Sequence, residues 1–347
     1  KKMFPDKLNT FSVGFEQKDF DESAYQNEVA NFYETNHQSV TFKNRDVVDL
    51  FEKVIWHTET PVLRTAPFPM YKLSKLVRDN GIKVVITGEG ADEVLGGYDI
   101  FKEAKVRRFW AQNPDSEWRP LLLKRLYPYL TLPEGRKSVY LKSFFGQSLD
   151  NPELSYFSHL PRWATTAKAK MFFSDDLNSE LSGLAFKDLE NFLPNELSNI
   201  HPFNRSQYIE SKTLMSGYLL NSQGDRMLTK HSVEGRFPFL DHRLIEFANR
   251  LPPKLKMKGM NEKYALKKAM SPYLPSSIVS RSKQPYRAPD VNTGENGLIN
   301  SDLVDYLSES HLQRAGLFNP KKVAMLLTKL REFASNKMPL ELYGSAP

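Results

Sequence analysis

Residues 83–98 read KVVITGEGADEVLGGY, and this stretch says more about the fold than any other part of the chain. The short β-branched run Val84–Ile86 predicts a buried strand of a parallel sheet. Glycines then permit a sharp turn and close approach of a ligand, before Asp92 and Glu93 at the expected start of a helix. Ligands of open α/β sheets lie beyond the carboxyl ends of strands, which favours a site for a metal and phosphates. The alternative is a strand–turn–helix whose acids only stabilise the helix N-terminus.

The residues upstream alternate between strand and helix patterns. Residues 11–15 and 39–42 predict strands, and residues 21–33, 46–56 and 70–78 predict helices. Strands that alternate with helices indicate an α/β fold, in which crossover helices connect the strands of a parallel sheet.

After Tyr98 the strand patterns fade and helical patterns dominate. Aromatic pairs such as Phe144-Phe145 and Phe172-Phe173 are compatible with platforms for stacked nucleic-acid bases. We favour the alternative that these aromatic side chains pack helices together, because aromatic residues mainly fill cores.

The composition excludes several classes of protein. The chain has 347 residues, a net charge of +7 and no cysteine. Disulfides, thiolate zinc sites and a cysteine nucleophile within this chain are therefore excluded. There is no transmembrane run and no signal-peptide pattern, so we expect no membrane partner. The absence of cysteine fits a cytoplasmic protein, which is the location we predict. We also expect no nucleic-acid partner. The histidines show no zinc-ligand spacing, and the mild basic excess is interpreted as a solvated surface.

A second informative segment, residues 225–241, reads DRMLTKHSVEGRFPFLD. Charged residues within an apolar segment tend to be paired or to hold ligands. Arg236 is therefore predicted to form a structural ion pair with Glu234 or Asp241. For Arg226, a structural role and a ligand contact are about equally favoured.

Two further basic features lie near the C-terminal end. Lys263 stands at a predicted helix start, where its charge opposes the helix dipole, so it is either a surface residue or a ligand of an anion. Residues 280–289 form a basic, proline-rich loop, which either closes over an anion or is a plain linker.

Together these segments resemble the synthetase domain of glutamine-dependent (asparagine synthetase B-like) asparagine synthetases, over about residues 11–322. The resemblance implies an adenine nucleotide α-hydrolase-like (Rossmann-like) parallel sheet, truncated at its N-terminal strand, with a large helical extension. Residues 1–104 would form the remainder of the nucleotide-binding core, and residues 105–347 a mainly helical part that completes one catalytic unit. The implied reaction is adenylation of aspartate to β-aspartyl-AMP with release of pyrophosphate, followed by attack of ammonia to give asparagine and AMP.

The resemblance also implies roles for individual residues. Glu89 matches the acid that handles the substrate and the attacking amine, and Lys263 matches the lysine that stabilises the adenylate and the leaving pyrophosphate. Arg226 is assigned a phosphate or substrate contact. Asp92 matches a Mg²⁺ ligand on the pyrophosphate side.

The remaining implied contacts are with ATP. Val13 matches a position whose backbone meets the adenine. Thr87 and Gly88 match a Ser-Gly pair that contacts ATP, and threonine keeps the hydroxyl. The implied cofactors are thus ATP and Mg²⁺, and the implied partners are aspartate, or a similar carboxylate, and ammonia.

Two family features are not in this chain. One is the phosphate loop of the form Ser-Gly-Gly-x-Asp-Ser, and the other is the N-terminal glutaminase domain with its nucleophilic cysteine. We therefore expect a fragment that lacks glutamine-dependent activity alone, binds ATP weakly at best and works with a glutaminase domain in cis. A homodimer is also expected.

Three alternatives stay open at this point. One is a related synthetase that acts on another carboxylate, in β-lactam or peptide natural-product amide formation. A less favoured one is a tRNA-modifying adenylase, and the third is a non-catalytic interaction domain.

Overall fold

The computed structural model describes residues 8–62, 64–126, 134–284, 286–288 and 301–335. The strands are β1 (Asn9–Phe15), β2 (Asn36–Phe42), β3 (Val84–Ile86) and β4 (Glu234–Arg236). The helices up to residue 145 are α1 (Ser23–Phe32), α2 (Asn44–Thr58), α3 (Pro67–Asp79), α4 (Ala91–Leu95), α5 (Asp99–Ala111) and α6 (Glu134–Phe145). The next five are α7 (Leu160–Ala167), α8 (Asp175–Glu180), α9 (Leu184–Phe192), α10 (Pro202–Glu210) and α11 (Arg226–Lys230). The last six are α12 (His242–Arg250), α13 (Pro253–Lys256), α14 (Tyr264–Met270), α15 (Ser276–Ser280), α16 (Glu309–Ala315) and α17 (Pro320–Ser335). A wider helical segment with π-type hydrogen bonds, Ser211–Asp225, joins α10 to α11.

The α/β class and the predicted alternation of strands and helices are confirmed. β1 pairs in parallel with β2 over seven residues, from Asn9 opposite Asn36 to Phe15 opposite Phe42. The apolar side chains of this pair pack with α2, α3 and α11 around a shared core that includes Val13, Phe15, Phe42, Val47, Val54, Phe68, Tyr71 and Met227.

The expectation of one continuous sheet is wrong for the described residues. β3 does not pair with β1 or β2, and instead pairs in parallel with β4, with Val84 opposite Glu234 and Ile86 opposite Arg236. The expectation that β3 is buried is also wrong, because Val84 is 48% exposed and Ile86 is 76% exposed. The physical reason is that successive side chains of a strand point to opposite faces, and only Val85 lies on the face that packs against Val77, Leu228 and Val233.

The helical part has a core of its own. Phe144, Phe145 and Phe157 are buried together with Trp110 and Leu123, so the packing interpretation of these aromatic residues is confirmed. Arg107 is completely buried in this core, where its guanidinium donates to the carbonyl of Phe145 at 3.0 Å.

Helix α5 runs across the predicted division at residue 104, and that division stays a prediction. Among the helices that the structure describes, none is both long and apolar enough to cross a membrane.

Candidate active site

The loop after β3 owes its shape to glycine. The N–H of Thr87 still donates to the carbonyl of Arg236 at 3.0 Å, and the chain then turns away from the strand. Gly90 has a φ of +89°, and a Cβ at this position would lie 2.2 Å from Cδ2 of Leu240. A residue with a side chain would therefore be strained and would collide there, which explains why glycine precedes the short helix α4.

A second glycine makes room for the carboxylate of Asp92, on the first turn of α4. A Cβ on Gly97 would lie 1.8 Å from Oδ1 of Asp92, closer than any non-bonded contact. The missing side chain of Gly97 thus lets the carboxylate fold back over the turn at residues 96–97. From that position Asp92 faces two lysines.

Lys263 and Lys283 come to Asp92 from distant parts of the sequence. Nζ of Lys263 donates to Oδ1 at 2.9 Å, and Nζ of Lys283 lies 3.4 Å from Oδ2. Burial alone would raise the pKa of Asp92, but the two ammonium groups outweigh it and hold the pKa below its ordinary value. Asp92 is therefore an anion held between two cations. If the two lysines turned away from Asp92, their ammonium groups could bind an anionic ligand.

The backbone at Lys263 adopts the left-handed conformation, with a φ of 48°, immediately before α14. This conformation is uncommon for a residue with a side chain, and such strain is concentrated at functional sites. The sequence left open that Lys263 is a surface residue, but the structure shows its ammonium group in contact with Asp92.

Glu89 lies near enough to Asp92 and Lys283 for their charges to act on its carboxyl group. Burial raises the pKa of Glu89, the negative charge of Asp92 raises it further, and Lys283 partly opposes both. Glu89 is therefore the carboxyl of this loop that more readily holds a proton, whereas Asp92 stays ionised. Three of the predicted site residues, Glu89, Asp92 and Lys263, are thus brought together.

Next to Asp92 in the chain is a buried acid, Glu93, to which the sequence analysis gave no individual role. It is 2% exposed, and the hydroxyl of Tyr98 donates to its Oε1 at 2.9 Å. Burial raises the pKa of Glu93 to about 7. The ring of Tyr98 lies 5.9 Å from Nζ of Lys283, so the pair connects the buried acid to one of the two lysines.

Thr87 and Gly88 follow directly after β3. Oγ1 of Thr87 is buried and has no hydrogen-bond partner within the described part of the chain. A Cβ on Gly88 would meet no atom within 4 Å, so open space faces this position. A buried hydroxyl without a partner is costly unless a ligand or water satisfies it.

Val13 lines a different cavity. This cavity has a volume of about 320 Å³ and is walled by aromatic and apolar side chains that include Phe11, Phe20 and Tyr286. The carbonyl of Val13 accepts from Nε2 of Gln26 at 3.1 Å. Neither Thr87 nor Gly88 is among the described residues that line it, so the structure does not bring the three predicted ATP contacts to one cavity.

Arg226 does not contact the Asp92 group among the described residues. It forms an ion pair with Glu59, at the end of α2, and its Nε donates to Oδ1 of Asn221 at 3.0 Å. The predicted ion pair of Arg236 with Glu234 is present at 2.5 Å, whereas Asp241 pairs with Arg243 at 2.9 Å.

Glu262 supports the site through its contact with Lys283, and the sequence analysis did not predict it as a site residue. It is 3% exposed, and its carboxylate accepts from Lys102 at 2.7 Å and from Lys267 at 2.8 Å. It also accepts from the backbone N–H of Lys283 at 3.0 Å, which places Lys283 beside Asp92. Its position directly before Lys263, together with the downstream basic loop, is the signal that could have found it. Of that loop, Pro285 and Pro289 lie outside the described residues.

Whether the donor set fits Mg²⁺ depends on how many carboxylates it brings together. The described residues contain no group of three or more acids or histidines that could hold a metal ion. Mg²⁺ is, however, commonly held by one or two carboxylates together with substrate phosphates. Asp92, with Glu89 nearby, fits that shared arrangement and does not fit a dedicated metal site.

The fold and the site define a class of protein. It has parallel α/β pairs, and two lysines flank an acidic turn at the end of a strand. The chain belongs to the asparagine synthase family, whose model matches residues 1–343. It is 31% identical over 300 residues to Amidase chyE of Penicillium rubens, an alignment that covers 82% of this chain and 44% of that protein.

Proteins named as asparagine synthetases also match, among them one from Bacillus subtilis and one from Methanocaldococcus jannaschii. The identity is 28% over 288 residues with glutamine-hydrolysing asparagine synthetase 1 of Bacillus subtilis, covering 83% of this chain and 43% of that protein. The identity is 42% over 151 residues with putative asparagine synthetase 2 of Methanocaldococcus jannaschii, and that alignment covers 43% of this chain and 28% of that protein. The chain spans less than half the length of these curated relatives.

Proposed function

We propose that this chain carries the synthetase part of an ATP-dependent ligase that forms amides through an acyl adenylate. The observation that carries the proposal is the convergence of Asp92, Lys263 and Lys283, with Glu89 beside them. We also propose that β1, β2 and β3 belong to an adenine nucleotide α-hydrolase-like core. The ammonium groups of the two lysines would neutralise the pyrophosphate as it leaves, without reorganisation during the reaction.

Asp92 would hold Mg²⁺ jointly with the phosphates of ATP, and the ion would supply charge neutralisation on the pyrophosphate side. The two lysines would then turn from Asp92 toward the phosphate oxygens. The depressed pKa of Asp92 supports this role, because a metal ligand has to be ionised.

Glu89 would take a proton from the attacking ammonia as the amide bond forms. A carboxyl group is a more effective proton acceptor when its pKa is raised toward the working pH, and burial beside Asp92 raises that of Glu89. The free hydroxyl of Thr87 and the open space at Gly88 support a nucleotide contact at the end of β3. We retain Val13 as an adenine contact and Arg226 as a phosphate or substrate contact, although each lies apart from this group.

For the substrate, we propose aspartate, with ammonia as the nucleophile and asparagine and AMP as products. In the longer protein, ammonia would come from glutamine through a glutaminase domain. The match to a protein named as an amidase supports a second candidate, in which the same chemistry acts on another carboxylate. The homodimer and the cytoplasmic location stay predictions.

The decisive experiment is carboxylate-dependent exchange of labelled pyrophosphate into ATP, carried out with the full-length gene product. Aspartate, glutamate, β-alanine derivatives and short peptides with a free carboxylate would each be tested as the acceptor. Exchange that requires aspartate supports asparagine synthesis, and exchange that requires another carboxylate supports the second candidate. The absence of exchange with every carboxylate, in a folded protein that binds ATP, would refute adenylation.

A further inference from the structure

A second cavity, distinct from both the Val13 cavity and the Asp92 group, lies beside α5 and α14. Its volume is about 340 Å³. Six cationic side chains line it: Lys102, Arg125, Lys258, Lys267, Arg281 and Lys283. The described lining also supplies neutral donors from Asn261, Ser280 and Ser282.

The carboxylates around this cavity do not balance its cations. Glu262, which is part of the lining, holds Lys102 and Lys267. Lys102 also contacts Asp99 at 3.0 Å behind the wall. Lys283 is shared with Asp92, and Arg281 pairs with Glu22. Among the described residues, four carboxylates therefore contact a wall of six cations.

The excess charge is located on Lys258 and Arg125, which are both exposed. Within the described residues, neither side chain has an ion-pair partner, and Lys258 lies over the ring of Tyr264 at 5.1 Å. Two cations without carboxylate partners, next to a wall of cations held by buried acids, are the arrangement that attracts a multivalent anion.

We propose that this cavity is a binding site for a phosphate-class anion. Lysine and arginine side chains offer donors and no acceptors, so the ligand has to supply several acceptor oxygens and negative charge. Phosphate and pyrophosphate groups meet both requirements, and charge-assisted hydrogen bonds to them are about twice as strong as neutral ones. The loop at residues 280–283 forms one wall, which gives the basic loop an anion-binding role.

Within the described residues, the cavity shares Lys283 with the Asp92 group, and Glu262 in its lining accepts from the backbone N–H of Lys283. Among the described residues, Asp92, Glu89 and Thr87 are not part of its lining. The inference therefore does not depend on the adenylation proposed above. The phosphate group could come from pyrophosphate released next to Lys283 or from an unrelated molecule that carries a single phosphate.

Calorimetric titration of the 347-residue protein with inorganic pyrophosphate, in metal-free buffer at low salt, tests the proposal. We expect saturable binding that Lys258→Met and Arg125→Gln each weaken by about fivefold to tenfold. Lys254→Met, which removes an exposed lysine outside the cavity, is the matched control and should leave the affinity unchanged. Thermal melts of the exposed-site variants verify that each is folded.

Lys258→Met and Arg125→Gln separate this cavity from the Asp92 group, because among the described residues neither side chain contacts Asp92, as Lys263 and Lys283 do. Unchanged pyrophosphate affinity in both variants would assign the anion to the Asp92 group and overturn the proposal. The absence of saturable binding to the parent protein would overturn it as well. A parallel titration with orthophosphate identifies the source, because a pyrophosphate-derived ligand should bind at least tenfold more tightly than a single phosphate. The pyrophosphate exchange assay fails or succeeds independently of these titrations.

Discussion

Nζ of Lys263 donates to Oδ1 of Asp92 at 2.9 Å across a separation of 171 positions in the chain. The contact joins the left-handed turn before α14 to the first turn of α4. Both side chains are largely shielded, with 20% and 16% exposure, so the pair is less screened by salt than a surface ion pair. Its partners are nevertheless accessible enough to meet a ligand.

Replacement of Lys263 by methionine should reduce pyrophosphate exchange in the full-length protein by about 10²–10³-fold, because a fixed cation would no longer meet the leaving group. Methionine retains most of the length of the side chain and removes its charge. The matched control is Lys268→Met, which replaces an exposed lysine on α14, the helix that follows Lys263. An exchange rate for Lys263→Met within threefold of that control would exclude a direct role for the ammonium group.

Gly97→Ala tests the glycine that accommodates Asp92. The new Cβ would lie 1.8 Å from Oδ1, so the carboxylate has to move away from Lys263 and Lys283. We expect a loss of about 1–3 kcal/mol in the free energy of unfolding, measured with urea, and a parallel loss of pyrophosphate exchange.

Gly217→Ala is the control for this substitution, since no atom lies within 4 Å of its added Cβ. Its stability should equal or exceed that of the parent protein, because alanine is the better helix former. If Gly97→Ala behaved like Gly217→Ala in both measurements, the absence of a side chain at Gly97 would not be what positions Asp92.

The local pattern of the sequence predicted much of the site, but not the contacts that complete it. Glu89 and Asp92 are adjacent to a β-branched run and two glycine turns, a pattern visible within sixteen residues. Lys283 and Glu262 act through ion pairs with residues far away in the chain, and no local periodicity encodes such pairs. In the sequence, Glu93 has the pattern of an exposed acid at a helix N-terminus. Only the structure shows that it is buried and accepts a hydrogen bond from Tyr98.

The same distinction applies to the fold. β1 and β2 were predicted because each has an apolar pattern and each is followed by an amphipathic helix. β4 was missed because Glu234 and Arg236 have charged side chains on a three-residue strand, and only backbone pairing with β3 defines it. The exposure of Ile86 could not be predicted either, since burial depends on which elements cover a strand rather than on its own residues.

Glu262→Gln should destabilise the protein at neutral pH by about 3 kcal/mol, because Lys102 and Lys267 would lose a buried counter-charge. Burial would raise the pKa of Glu262, but its lysine partners outweigh this and lower the pKa to about 2. Because its pKa is lowered, ionised Glu262 stabilises the fold at pH values above the pKa that it has in the unfolded chain, which is near 4.5. This stabilisation is lost as the pH falls toward 2.

Urea unfolding from pH 7 to pH 3 measures this dependence. The difference between the parent protein and Glu262→Gln should shrink as the pH falls below about 4.5. Glu246→Gln, at an exposed glutamate on α12, should show no such difference. A difference that stays constant down to pH 3 would show that Glu262 acts through packing rather than through its charge.

Glu93→Gln should have the opposite pH dependence, because burial raises the pKa of Glu93 to about 7. A group with a raised pKa makes its full contribution to stability at pH values below its pKa in the unfolded chain, here near 4.5. It loses that contribution as the pH rises through about 7. Glutamine keeps an acceptor for the hydroxyl of Tyr98 and does not titrate. Relative to the parent protein, Glu93→Gln should therefore gain about 2–3 kcal/mol in the free energy of unfolding between pH 4.5 and pH 8. Urea unfolding across this range measures the gain, and a parallel profile for the two proteins would show that Glu93 titrates as an ordinary exposed carboxyl group.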